Sequence, residues 1–241
     1  MVRQAVSHSI LGRAIASGAI AVRVRDIRDQ TTDRHRTADD VPYGGGAGMV
    51  MKVPPVAKCV RSARAAAPGA PVVLLSASGR LFSQADARRF AAGTGLVLVC
   101  GHYEGVDERV AEHYVDEEVA IGDYVLSGGE VPALAVLDAV ARLLPGVVGN
   151  SGSLLEESHE GGMLEYPQYT RPAEFEGHGV PEVLLSGNHG EVAKWRKAAA
   201  RAKTVRNRPD LAAHLPPEPE PKRKGAGRPP RLGRPPEGGG R

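Results

Sequence analysis

The sequence predicts an α/β fold organised on a parallel sheet, and three observations carry that prediction. The runs Val72-Val73-Leu74-Leu75 and Leu96-Val97-Leu98-Val99-Cys100 are aliphatic, bounded by turn residues and free of polar alternation. Strands buried on both faces read this way. Between the runs, Ser83-Gln84-Ala85-Asp86 has the form of a helix start, a serine cap with an acid three residues on. Strand, helix and strand in that order imply a parallel crossover unit.

The remaining elements follow in chain order. Ile10, Leu11, Ala14 and Ile15 lie at helical spacing and predict an amphipathic helix that stops near Gly18. Val22 and Val24 then alternate with Arg23 and Arg25, which is a strand pattern. A third apolar segment, Glu118-Val119-Ala120-Ile121, ends at Gly122. A helix from about Pro132 to Leu144 follows, with Pro132 in its first turn and Pro145-Gly146 as its stop. Residues 149–162 combine glycines and serines with an acidic cluster and read as a linker. Val183-Leu184-Leu185 is short and apolar, and about 189–206 is helical. Residues 216–241 contain eight Pro and six Gly, too little apolar surface to offset the ordering entropy, so disorder is expected there.

The composition bounds the function. The 241 residues are 41% hydrophobic and 24% charged, enough for one large domain or two small ones. The net charge is +3, but residues 216–241 alone carry +4, so residues 1–215 carry −1. That excludes a globally basic nucleic-acid binder and leaves local patches to do any such binding. Cys59 and Cys100 sit in apolar stretches without a CxxC, and read as buried free thiols of a reducing compartment. No window approaches the roughly 20 apolar residues of a membrane span. A soluble, cytoplasmic protein without a membrane partner is the expectation.

Three expected strand ends carry similar loops: Ser76-Ala77-Ser78-Gly79, Gly101-His102-Tyr103-Glu104-Gly105, and Ile121 through Gly129. Open parallel sheets bind ligands beyond the carboxyl ends of their strands. Glycines there let backbone approach a ligand closely. Tight strand-to-helix turns are the alternative, and it weakens when three such loops share one edge. Other chemistries lack their residues: GxxxxGK[ST], a helix-opening GxGxxG, HExxH and GxSxG are all absent. Pro42-Tyr43-Gly44-Gly45-Gly46-Ala47-Gly48-Met49 has no helix signal after it and reads as a lid or wall.

Longer blocks are more specific. Asp33-Arg34-His35-Arg36-Thr37 leads through Asp39-Asp40 into the Pro42–Met49 loop. Cys100-Gly101-His102-Tyr103-Glu104-Gly105-Val106-Asp107-Glu108-Arg109 and Ile121-Gly122-Asp123-Tyr124-Val125-Leu126-Ser127-Gly128-Gly129-Glu130 follow. Tyr169-Thr170-Arg171-Pro172 and Leu184-Leu185-Ser186-Gly187-Asn188-His189 come last. As a set, over roughly residues 1–211, they closely resemble the bacterial tRNA (guanine-37-N1)-methyltransferases.

The resemblance implies a SPOUT-type parallel sheet with a deep trefoil knot, an exception to the usual topology rules, and a small, mainly helical C-terminal domain. It implies a knotted domain over 1–148, a linker over 149–164, a tRNA-binding domain over 165–215 and a disordered tail over 216–241. It further implies methyl transfer from S-adenosylmethionine to N1 of guanosine 37 of tRNA, in a homodimer with its active sites at the subunit interface. A magnesium ion is a further candidate participant. The cofactor-binding positions carried over are Leu75, Ser76, Gly101, Tyr103, Gly105, Ile121, Gly122, Asp123, Tyr124, Val125, Leu126, Gly128 and Gly129.

Guanine N1 is protonated at neutral pH, so the reaction needs a base at N1 and a cation for the charge that builds on O6. The target base must also leave its stack. By position, Arg142 matches the cation and Glu157 the base, where the family usually has aspartate. A solvated helix-end arginine and a solvated acidic linker are the alternatives for these two residues. Lys194, Lys197 and Arg201 fall on one face of a helix in the acid-free run 194–208 and are the expected RNA contacts. Trp195 beside them is read as a helix anchor or a base-stacking ring.

Three departures from the family pattern accompany these expectations. The family normally opens with a hydrophobic strand ahead of the helix at about residues 4–17, so the resemblance implies that Met1 is an internal start. Its Leu-Ser-Pro-Gln-Gly loop is here Leu75-Ser76-Ala77-Ser78-Gly79. The tail segment Gly227-Arg228-Pro229-Pro230-Arg231 resembles a minor-groove hook without its Arg-Gly-Arg centre. Two rival readings stay open at this point, a non-catalytic RNA-binding protein and a related knotted methyltransferase acting on another RNA base.

Overall fold

The first aliphatic run sends alternate side chains into two cores, which makes it the centre of the sheet. Val73 and Leu75 pack with Ala87, Phe90, Val119, Val136 and Val140, whereas Val72 and Leu74 pack with Val56, Val60, Val99 and Val110. Each side chain buried so completely contributes about 1.5–3 kcal/mol.

The computed structural model describes residues 1–148, 157–159 and 162–217. It divides into two compact units, Met1–Glu165 and Tyr166–Arg241. The first holds α1 (Val2–Ala5), α2 (Ser9–Ala16), β1 (Asp39–Asp40), β2 (Val50–Met51), α3 (Val53–Ala66), β3 (Val72–Leu81), α4 (Gln84–Ala91), β4 (Val97–Cys100), α5 (Glu108–Tyr114), β5 (Glu117–Ala120) and α6 (Glu130–Ala141). The second holds the two-residue strands β6 (Glu174–Phe175) and β7 (His178–Gly179), then α7 (Glu182–Leu185), α8 (His189–Asn207) and α9 (Pro209–Ala212).

The main sheet has the order β4-β3-β5, and both pairings are parallel. Helices α4 and α6 cover one face, and α3 and α5 the other. The chain steps from central β3 to β4 on one side, then crosses to β5 on the other. Such a reversal of strand order opens a crevice at the carboxyl edge. Helix α6 is apolar except for Glu130 and Asp138, as suits a helix covered on two sides. Its second side packs Leu134, Leu137 and Ala141 against Val6 and Leu11 of the N-terminal helices.

The capping box forms as its residues predict: Ser83 Oγ accepts from the Asp86 amide, and Asp86 accepts from the Ser83 amide at 3.0 Å. Helix α6 starts two residues before the expected Pro132 and ends at Ala141, short of Leu144. Val22 and Val24 do not form a strand. Alternation supplies only a face, and no neighbouring strand among the described residues supplies hydrogen-bond partners. Most of the expected linker, residues 149–156 and 160–161, lies outside the described residues, as does the expected tail from 218 onward.

Strand β3 also runs beyond its expected end. Leu75 pairs with Val119, the chain bulges out over residues 76–79, and Arg80 returns to pair with Val119 again. Gly79 permits this return, because a Cβ there would lie 2.5 Å from the Val119 backbone nitrogen. The returning strand is held by charge. Arg80 forks onto Asp86 at 2.7 and 2.9 Å and reaches Glu117 at 2.5 Å, while Arg89 bonds Glu117 at 2.9 Å.

The Arg80 guanidinium, helped by Ser83 and Arg89, holds the Asp86 carboxyl far below the usual carboxylate range. A carboxyl with a depressed folded-state pKa stabilises the fold above the unfolded value of about 3.9, and that stabilisation drains away as pH falls below it. Asp86→Asn is therefore expected to lower the melting temperature at pH 7 by about 5 °C. Melting curves of the two proteins should converge as the pH drops below 4. A difference that is constant across pH would contradict the assignment.

No helix among the described residues is long and apolar enough to cross a membrane. Both cysteines are free, and burial pushes the Cys100 thiol up to about 12.

Candidate active site

Because β3, β4 and β5 are parallel, their following loops emerge on one edge. The 101–105 and 121–129 loops are locked together by backbone. His102 bridges Gly128, and the Gly129 amide donates to Gly101 O at 2.8 Å. A Cβ on Gly129 would stand 2.6 Å from Cys100 Cα, so only glycine lets the loops close to this distance. A side-chain contact adds to the lock, with His102 Nε2 2.5 Å from Glu130 Oε1 at the start of α6. The sequence reading missed this pair, since the two residues are 28 positions apart.

The Gly-rich segment before β2 stands beside the same loop. Glu104 N donates to Met49 O at 3.1 Å, Met51 N to Gly105 O at 3.0 Å, and a Cβ on Gly48 would strike the Glu104 side chain. Tyr103 takes a left-handed backbone, φ 63°, and its hydroxyl accepts from Arg28 Nη2 at 2.9 Å. The loop's conformation therefore depends on residues from three separate stretches of chain.

The expected cofactor positions differ in what they have free. Tyr103, Tyr124, Val125 and Leu126 are exposed at this edge. Gly101 and Gly105 present bare backbone, and Gly105 needs its glycine for φ 134°. Ser76 Oγ is 2.7 Å from Ser78 Oγ within the bulge. Leu75 is buried in the core and is paired on both sides, with Cys100 and Val119, at the last position before the bulge. The amide of Gly129 is already used by Gly101, and Gly128 is packed against His102 and Glu130. Ile121 is half-buried, and Gly122 makes room for the Tyr124 ring folded over it; Asp123 lies between them on the same loop. Together these residues offer exposed apolar and aromatic surface, and loops without side chains at Gly101 and Gly105 that a ligand can approach closely, the kind of lining an adenosine takes. Among the described residues, no group of three or more His, Cys, Asp or Glu is placed to hold a metal ion.

The two acid–base candidates meet. Arg142 caps the C-terminus of α6, and its Nη1 and Nη2 fork onto Glu157 Oε2 and Oε1 at 2.5 and 2.8 Å. Their side chains are 34% and 26% exposed, so the pair is sheltered yet reachable. The Glu157 hydrogen bonds raise the Arg142 pKa further, keeping it a cation at any working pH. The spacing along α6 matters here. Gly129 and Arg142 sit at opposite ends of the helix, about 20 Å apart at 1.5 Å per residue.

With this geometry in place, comparison with known proteins identifies the chain. The tRNA (guanine-1)-methyltransferase TrmD family matches residues 1–214. The chain belongs to that family. A tRNA (guanine-N(1)-)-methyltransferase of Chloroflexus aggregans is 58% identical over 209 residues, covering 86% of this chain and 82% of its own. The one from Methylococcus capsulatus is 56% identical over 214 residues, covering 88% and 85%. The one from Geobacter metallireducens is 52% identical over 206 residues, covering 86% and 84%. The protein is an enzyme of this methyltransferase class.

Within this methyltransferase, the expected RNA contacts of the second unit are not equivalent. Lys194 is 74% exposed and pairs with Glu191 at 2.6 Å, an acid just ahead of the acid-free run. Lys197 is exposed. Arg201 is half-buried and donates to Pro216 O at 2.8 Å. Of the three, Lys194 and Lys197 are the exposed ones.

Proposed function

We propose that this methyltransferase acts on N1 of guanosine 37 of tRNA, beside the anticodon, with S-adenosylmethionine as methyl donor. The observation that carries the reading is the Arg142–Glu157 fork. Guanine presents O6 beside N1–H on one edge. A guanidinium beside a carboxylate is the complement of that edge, a donor next to an acceptor. When guanine enters, Glu157 accepts the N1 proton and Arg142 donates to O6, where negative charge collects as the proton leaves. The charge moves from carboxylate to base edge while the cation stays in reach of both.

Leu75 and Ser76 through backbone, and Gly101, Tyr103, Gly105, Tyr124, Val125 and Leu126, are the residues we assign to S-adenosylmethionine, with Ile121, Gly122, Asp123, Gly128 and Gly129 shaping their loop. When bound, the donor supplies an electrophilic methyl group on a sulfonium. The interlocked loops support a SPOUT-type sheet with a deep trefoil knot. The length of α6 supports a homodimer: one chain holds its loops and its Arg142–Glu157 pair about 20 Å apart, and a second copy is what brings a loop and a pair together. In the second unit, Lys194 and Lys197, with Arg201 behind them, are assigned to tRNA phosphates.

The direct test incubates the protein with methyl-labelled S-adenosylmethionine and a tRNA transcript carrying guanosine 37, then maps the modified nucleotide. Label on N1 of position 37, and none on a transcript with adenosine 37, is the expected result. Label at another base would overturn the site assignment.

A further inference from the structure

We propose that the second unit carries a stacking pocket for an unpaired base of the RNA, formed where Tyr169 meets Trp195, in addition to the site that takes the target guanine. The proposal rests on the reading that tRNA is the substrate. A cavity of about 310 Å³ lies in this unit, lined among others by Tyr166, Tyr169, Arg171, Leu185, Trp195 and Arg196. The Tyr169 and Trp195 rings are 6.2 Å apart at an interplanar angle of 58°, so they form an open wedge and not a closed stack. Tyr169 is 48% exposed and Leu185 61%, which leaves apolar surface turned to solvent at the cavity mouth.

The charge of the cavity is as informative as its shape. The Arg196 guanidinium lies 4.7 Å over the Tyr166 ring, and its Nε is buried without a hydrogen-bond partner. Among the described residues, neither Arg196 nor Arg171 has a carboxylate partner. Two uncompensated cations thus line a wall that also carries aromatic rings. An apolar peptide would have no use for the guanidinium groups, and a simple anion would have no use for the rings. A nucleotide uses both, stacking its base on the rings while its phosphate meets the cations. The same helix continues the path, since Lys194 and Lys197 flank Trp195 and Arg196 and are exposed. A strand of RNA whose backbone crosses these lysines can turn one base into the wedge.

Trp195 is the chain's one tryptophan, so its emission reports on this pocket directly. In the full-length protein titrated with guanosine-37 tRNA, Trp195 emission should quench and saturate over the range in which methyl transfer saturates. S-adenosylmethionine alone should leave it unchanged. Tyr169→Ala should weaken tRNA binding about tenfold, raising the KM for tRNA with it, because base stacking on a ring is typically worth that factor. Tyr169→Phe, which keeps the ring, should restore wild-type affinity, and the Kd for S-adenosylmethionine should not move in either variant. Emission unchanged at saturating tRNA while transfer proceeds normally would overturn the pocket, as would a folded Tyr169→Ala that binds tRNA like wild type. Quenching by tRNA without label at position 37 would instead sink the assigned reaction and leave the pocket standing.

Discussion

Glu157→Gln is expected to cut kcat for methyl transfer by about 10²- to 10⁴-fold, the range a positioned general base contributes. The amide has the carboxylate's shape and still accepts one hydrogen bond from Arg142, so the local structure should survive. What disappears is the ability to take a proton. Neutral guanine N1 is then left to attack with its hydrogen in place. S-adenosylmethionine binding, measured by calorimetry, should be unchanged, because the substitution alters none of the loop residues assigned to the donor and keeps the shape of the side chain. The melting temperature should move little, since the amide keeps the packing and one of the two hydrogen bonds of the fork. A Glu157→Gln protein that turns over at the wild-type rate would remove this residue from the proton transfer.

Arg142→Ala carries the second large effect, an expected loss of about 10²- to 10³-fold in kcat, as for removal of one donor to a developing oxyanion. Here the surroundings also change, for Glu157 loses both of its short hydrogen bonds. Arg142→Lys separates charge from geometry. It keeps the cation but not the planar fork, and should recover stability better than turnover. The variant also tests the dimer. If one copy's loops serve the other copy's Arg142–Glu157 pair, then mixing inactive Arg142→Ala protomers with protomers inactivated in the loop by Gly105→Val creates hybrids with one intact site. Random reassociation should restore about a quarter of wild-type activity. A mixture as inactive as its components would place loops and pair in the same chain.

These two residues also show how far the sequence reaches. Their identities come from the resemblance, through an arginine at a helix end and an acid ahead of Ser158-His159. Their contact does not, because it joins positions 15 apart, a separation that no local pattern encodes. Lys194 shows the opposite error. The run after it contains no acid, but Glu191 is one helical turn back and pairs with it. Reading charge along a segment misses a partner that the helix brings round from outside the segment.

The local determinants were readable because they act within a few residues. Ser83 and Asp86 cap a helix by reaching three positions, and the apolar run at 72–75 is buried throughout while that at 97–100 is half-buried apart from Val99. By itself the sequence determined the α/β class, these helix starts, the core strands and the chemical identity of the candidate base and cation. The tertiary structure alone decided that Val22 and Val24 join no strand among the described residues, that β3 leaves at residue 76 and returns at Arg80, that His102 meets Glu130, and that Glu157 lies against Arg142. The physical reason is the same in each case. A hydrogen bond or an ion pair between distant positions depends on where the packed sheet and helices carry their backbones, and a pattern along the chain specifies a face but not what that face will meet.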